Sequence, residues 1–185
     1  MNRTLLTKLH LVAAAFMFPA VLMFLVTGAL YTWGNKGDWI EDTAVVNLGA
    51  PLSSLNEAEM TDLATGVLKA RDLPLPSGAL SVETGAQPSL SWNGARSEIA
   101  FAPAESAAET EVTIREASFH RWLVQLHKAK GSTVFKVYAS ALAAVLALLV
   151  LSGVVMGLQV KALRTLTIGS SLAGLAAFVG FVLAG

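Results

Sequence analysis

Three long apolar runs divide this chain, and its acidic residues are gathered between the first and the second. Leu9–Trp33 is uncharged over more than 20 residues, enough to carry a helix across roughly 30 Å of hydrocarbon. Val134–Val160 is dense in Ala, Leu and Val, and Leu166–Leu183 follows it closely. Arg3 and Lys8 precede the first run as they would in a signal peptide. The run exceeds the ~7–15 apolar residues of a signal core, so it reads as a retained span. Pro19 predicts a kink there, and Tyr31 and Trp33 an aromatic anchor at its far end. Ser140, Ser152, Gly153 and Gly157 in the second run permit close helix contact, as do Gly169, Ala173 and Ala177 at four-residue spacing in the third. Between them "QVKALRT" predicts a turn over Lys161–Thr165 closing a tight antiparallel hairpin.

A different periodicity fills Gly34–Ser118. "SSLNEAEMTDLATGVLKARDLP" opens with a capping-box pattern, Ser54 and Glu57, and sets Leu55, Ala58, Leu63 and Val67 near one helical face. Pro74 and Pro76 follow it. Period-two pairs come next: Leu80/Val82, Leu90/Trp92, Ile99/Phe101 and Val112/Ile114, with Asn93-Gly94 as a hairpin signal. "TWGNKGDW" reads as an exit loop and "PAESAAETE" as a solvated loop. Phe119–Gly131 reads as an amphipathic interfacial helix, with Phe119, Trp122, Leu123 and Leu126 on one face and Arg121, Gln125 and Lys128 opposite. The expected fold class is a helical membrane protein with three transmembrane helices and a small α+β domain between spans one and two.

Composition agrees: 54% hydrophobic residues, mean hydropathy +0.60 and only 14% charged side chains exclude an ordinary soluble domain. The formal net charge is zero without a basic block, so no nucleic-acid partner is expected. Absent cysteine excludes disulfides and thiolate metal sites. All 13 carboxylates lie between Gly34 and Thr133. Arg3 and Lys8 at one end, with Lys161 and Arg164 between the later runs, place residues 1–8 and the 161–165 turn in the cytoplasm by the positive-inside rule. The α+β domain and the C-terminus then lie in the periplasm of a bacterial inner membrane. Lys128, Lys130 and Lys136 run against this assignment.

Two segments share a pattern. "KLHLVAAAFMFPAVLMFLVTGALYTWG" has an LH near its start and Thr27-Gly28 near its end. "QLHKAKGSTVFKVYASALAAVLALLVLSGVVMGL" has an LH, a Gly soon after, and Ser152-Gly153 at the close of a long apolar run. His-to-Gly spacing is 18 residues in one and 26 in the other, so the repeat is approximate. With the intervening domain, these features resemble the PepSY-associated transmembrane family. The resemblance implies a PepSY-like external domain and redox work near iron or siderophore acquisition, with haem b held by membrane histidines. His10 and His127 match the family's LH histidines, while His120 has no secure counterpart. Larger members have more spans and more histidines, and no dinucleotide or flavin motif occurs here.

The candidate cofactor-binding residues are therefore His10, His127 and His120, with no catalytic residue and no metal site beyond haem expected. A haem clamped by two histidines needs their ligating nitrogens about 4 Å apart. His120 and His127 stand seven residues apart, roughly 10 Å along one helix face, and cannot clamp one ring. By the assigned spans, nearly a full bilayer separates His10 from His127. A second ligand then comes from another copy or a membrane partner subunit, which predicts a homo-oligomer or a partner complex in the lipid bilayer. The competing reading makes the histidines ordinary interfacial residues and the protein a non-enzymatic, membrane-anchored interaction subunit. Clustered carboxylates at Glu57, Glu59 and Asp62, and at Glu105, Glu109 and Glu111, read as solvated surface.

Overall fold

The computed structural model describes residues 3–48, 51–83, 88–106 and 108–185. Residues 1–21 with 140–185 form one compact unit and residues 22–139 a second. Two helices, α1 (Arg3–Thr32) and α4 (Thr133–Gln159), contribute to both.

The first unit is helical, as apolar segments must be where no water can satisfy backbone groups. It contains the N-terminal part of α1, most of α4, and α5 (Lys161–Ala184). All three helices are long and apolar enough to cross a bilayer, and almost none of their residues are buried by protein. Their side chains are therefore left to lipid, as in a multi-pass membrane protein. The turn expected at Lys161–Thr165 is not there. Val160 alone separates α4 from α5, and its carbonyl already accepts from Leu163 and Arg164 of the next helix. Arg164 Nε donates to the Leu158 carbonyl at 3.0 Å, satisfying an acceptor at the α4 terminus that a loop residue would otherwise serve. A Cβ on Gly157 would overlap the Thr167 hydroxyl, so this glycine admits the start of α5. The tight hairpin is also not seen: α5 buries no residue, and nothing lies within 4 Å of the space a Gly169 side chain would take.

The second unit is an antiparallel sheet with one helix packed on it. Five strands, β1 (Trp39–Asn47), β2 (Leu80–Glu83), β3 (Ser89–Trp92), β4 (Ser97–Pro103) and β5 (Glu109–Ala117), lie in the order β1-β5-β4-β3-β2. The period-two pairs fall in β2 to β5, and β3 pairs with β4 across the Asn93-Gly94 turn. Strand β1 begins inside the segment read as an exit loop. Only two of its residues are even half-buried, so its sequence lacks the alternation of a two-faced strand. The register Trp39↔Ala117 to Asn47↔Glu109 holds it to β5 by backbone pairing. "PAESAAETE" is loop only in part, since Glu109–Glu111 opens β5; Ala107 lies outside the described residues.

Helix α2 (Glu57–Ala70) starts two residues later than Ser54 and Glu57 imply. Ser54 ends a short 3-10 turn and donates to the Pro51 carbonyl, so the capping box passes to Asn56 and Glu59. Met60, Ala64 and Leu68 face the sheet, and Ala58, expected on the buried face, is exposed. Those three pack with Leu90, Ile99, Phe101, Val112 and Ile114 in the core. Two ion pairs tie β1 to its surroundings: Arg115 Nε to Glu41 at 2.6 Å, and Arg71 to Asp42. The Glu41 carboxylate raises the Arg115 guanidinium above its ordinary pKa by hydrogen bond and charge. Both pairs are well exposed, so Glu41→Gln should change unfolding free energy by less than about 1 kcal/mol in a denaturant titration.

Helix α3 (Phe119–His127) follows β5 directly, capped by the Ser118 hydroxyl accepting from the Arg121 amide. Its buried side differs from the expected one. Val124 and Gln125 are buried, whereas Phe119 is 72% exposed. The sheet end fixes this rotation, because Ser118 also accepts from Asp38 N and donates its backbone N–H to the Asp38 carbonyl.

Candidate functional site

Two of the three histidines meet a hydroxyl from the opposite half of the internal echo. In the second unit, α1 presents Thr27, which is buried, one turn from its end. The Thr27 hydroxyl lies 2.7 Å from the Met23 carbonyl and donates to it. His127, the last residue of α3, brings Nδ1 to 2.9 Å from the same hydroxyl. The Phe24 ring lies against the imidazole, centroids 5.0 Å apart. Gly28 completes the arrangement: a Cβ there would come 3.1 Å from His127 Cε1, tighter than ordinary packing.

The first unit repeats this chemistry. His10 of α1 brings Nδ1 to 2.8 Å from Ser152 Oγ, and Ser152 donates to the Leu149 carbonyl at 2.9 Å. Gly153 stands beside the ring, its absent Cβ 3.8 Å from His10 Cε1. His10 and Ser152 line an apolar groove of about 400 Å³ with Leu6, Leu9, Leu148 and Leu149, a volume within the range of small-molecule and cofactor sites.

A hydroxyl carries one proton, and this decides the imidazole tautomers. Thr27 and Ser152 each place that proton on a helix carbonyl. Were the hydroxyl to donate to the ring instead, two oxygens would face each other at 2.7 and 2.9 Å with no hydrogen between them. The favourable assignment makes Nδ1 the donor in both histidines. In the neutral ring Nε2 then keeps its lone pair, which is the state of a ligand imidazole whose other nitrogen is held by a neighbour.

His120 is placed differently. It shares α3 with His127 and its Nε2 is buried without a hydrogen-bond partner among the described residues. Gly37 closes on the backbone there: its φ of +69° is a conformation that glycine adopts without strain, and a Cβ would come 2.9 Å from Arg121 Cα. His120 and His127 remain seven residues apart on one helix. Among the described residues, no group of three or more histidines and carboxylates converges as a metal site. Glu59 is occupied in the α2 capping box. Thr27 and Ser152 are the participants that histidine spacing alone does not reveal. Their signal was the echo itself, since each precedes the glycine that ends its half.

The donor set suits haem iron one ligand at a time. Each site offers one imidazole held at Nδ1 by a hydroxyl, His10 beside an apolar groove and His127 against Phe24, and neither offers a second histidine. These features define a class: a multi-pass membrane protein with a helix-on-sheet domain between its first two spans and hydroxyl-held histidines on its helices. The chain matches the family model described as PepSY-associated TM region over residues 7–173, and it belongs to that family. Comparison with curated proteins and with solved structures found no match.

Proposed function

We propose that this protein is a haem-linked electron-transfer or accessory subunit of a bacterial inner membrane, working in iron or siderophore acquisition. The observation that carries the reading is the paired geometry, in which the Thr27 and Ser152 hydroxyls stand 2.9 and 2.8 Å from Nδ1 of His127 and His10 while donating to helix carbonyls, an arrangement that suits Nδ1 as the donor and Nε2 as the ligand nitrogen. Haem b, when bound, supplies a one-electron couple. His10 and His127 would each hold it through Nε2, with Ser152 and Thr27 orienting the rings and an apolar groove beside His10. A second histidine ligand would have to be supplied by a second copy or a membrane partner subunit. In this reading the N-terminus is cytoplasmic, and the sheet domain and C-terminus are periplasmic. The electron donor is a separate protein or a quinone.

Haem titration of the purified full-length protein tests this. A Soret band should appear and shift on dithionite reduction, and His10→Ala and His127→Ala should each remove part of it. His120→Ala should leave the spectrum unchanged. Absence of any band with haem supplied would leave the membrane-anchored interaction subunit as the better reading. A full spectrum in both His10→Ala and His127→Ala would remove the site assignment.

A further inference from the structure

We propose that a cavity beside the β3–β4 turn binds the headgroup phosphate of an anionic phospholipid. The cavity encloses about 360 Å³ and lies wholly within the second unit. Pro76, Trp122, Leu126 and Phe135 give it apolar walls, and Arg96 and Ser132 supply its donors. Gly94 allows it to form, because a Cβ there would strike the Pro76 and Ser77 backbone at 2.8 and 3.0 Å.

Arg96 is the informative residue. It is exposed and makes no side-chain hydrogen bond or ion pair among the described residues, yet its guanidinium stands 5.7 Å over the Trp122 ring. Stacking of that kind orients the planar fork and leaves its N–H edges for a bidentate oxyanion. Ser132 Oγ accepts from the Phe135 amide at 3.3 Å, and its own proton remains available to a ligand. No carboxylate lines the cavity. Glu116 lines a separate one that shares Arg96 and Trp122.

Position selects the lipid over a free anion. Helix α4, a membrane-spanning helix, begins at Thr133 directly after Ser132, so the cavity opens where the chain enters the bilayer. Apolar walls beside an arginine match a phosphodiester with its glycerol and acyl stems, and are of no use to inorganic phosphate. The surroundings are dressed for the same surface. Lys36 and Lys128 stand 5.4 and 5.7 Å over Tyr31, and Arg121 stands 5.1 Å over Trp39. Cations held on aromatic faces at a span mouth suit anionic headgroups. This gives a reason for the basic residues near α4 that oppose the positive-inside assignment, and it does not depend on haem.

Native mass spectrometry of the full-length protein in a neutral detergent tests the site, with phosphatidylglycerol, phosphatidylcholine and inorganic phosphate as separate probes. Phosphatidylglycerol should be retained in preference to phosphatidylcholine, and Arg96→Gln should weaken its retention about tenfold, the loss expected for one charge-assisted hydrogen-bonded pair. Arg96→Lys keeps the cation without the fork and should fall between, and circular dichroism checks that both variants fold. Equal retention of the two lipids, or wild-type retention in both variants, overturns the proposal. Displacement of phosphatidylglycerol by an equal concentration of inorganic phosphate makes this a soluble-anion site and also overturns it.

Discussion

Phe101→Ala is expected to lower the stability of the sheet domain by about 3–5 kcal/mol, the usual loss for a fully buried aromatic ring. Phe101 is 1% exposed and sits in β4 between Leu90 of β3 and Val112 of β5, under the α2 stripe of Met60, Ala64 and Leu68. Its removal opens a cavity in that core cluster. A domain this small has few other contacts to absorb the loss, so the variant should lose cooperative unfolding in urea while the spans remain helical in detergent. A change below about 1 kcal/mol would mean that α2 and the sheet do not share this core.

Thr27→Val should release His127 from its fixed tautomer. Valine keeps the shape of threonine and deletes the hydroxyl, so the Nδ1–H loses its acceptor while the packing around Phe24 and Gly28 is preserved. The cost is about 1–3 kcal/mol if the ring stays in place with an unpaired donor. If the ring turns instead, proton exchange to the other nitrogen removes the ligand lone pair from Nε2. Haem affinity at His127 should then fall, with the His10 site unaffected, and Ser152→Ala should produce the converse pattern. Parallel loss at both sites from either variant would show that the two histidines act on one haem.

Much of this was legible in the chain because membranes impose simple rules. Twenty uncharged residues in a row have few fates, and the period-two pairs of β2 to β5 put both of their members in the core under α2 or packed against it. Strand β1 was not legible, since an edge strand with mostly exposed residues is held by backbone pairing that leaves no side-chain pattern. The α2 cap moved because Ser54 is used by the 3-10 turn before it, a local competition between two satisfactory hydrogen bonds. Gln125 is buried although its neighbours suggest a polar face, because helix periodicity fixes angles between residues but not which face turns inward. The histidine partners lie 100 and 142 residues away in the chain, beyond any local pattern. The repeated LH and hydroxyl-glycine steps pointed to them, and only tertiary structure shows that each half completes the other.

Two hydroxyls are expected to set His10 and His127 as Nδ1–H tautomers with Nε2 free. Nitrogen-15 NMR of histidine-labelled full-length protein, without haem and at neutral pH, measures this directly. His10 and His127 should show a protonated Nδ1 and a bare Nε2, and Ser152→Ala and Thr27→Val should each abolish that signature at its own histidine alone. A protonated Nε2 on both residues of the unmodified protein would overturn this tautomer assignment.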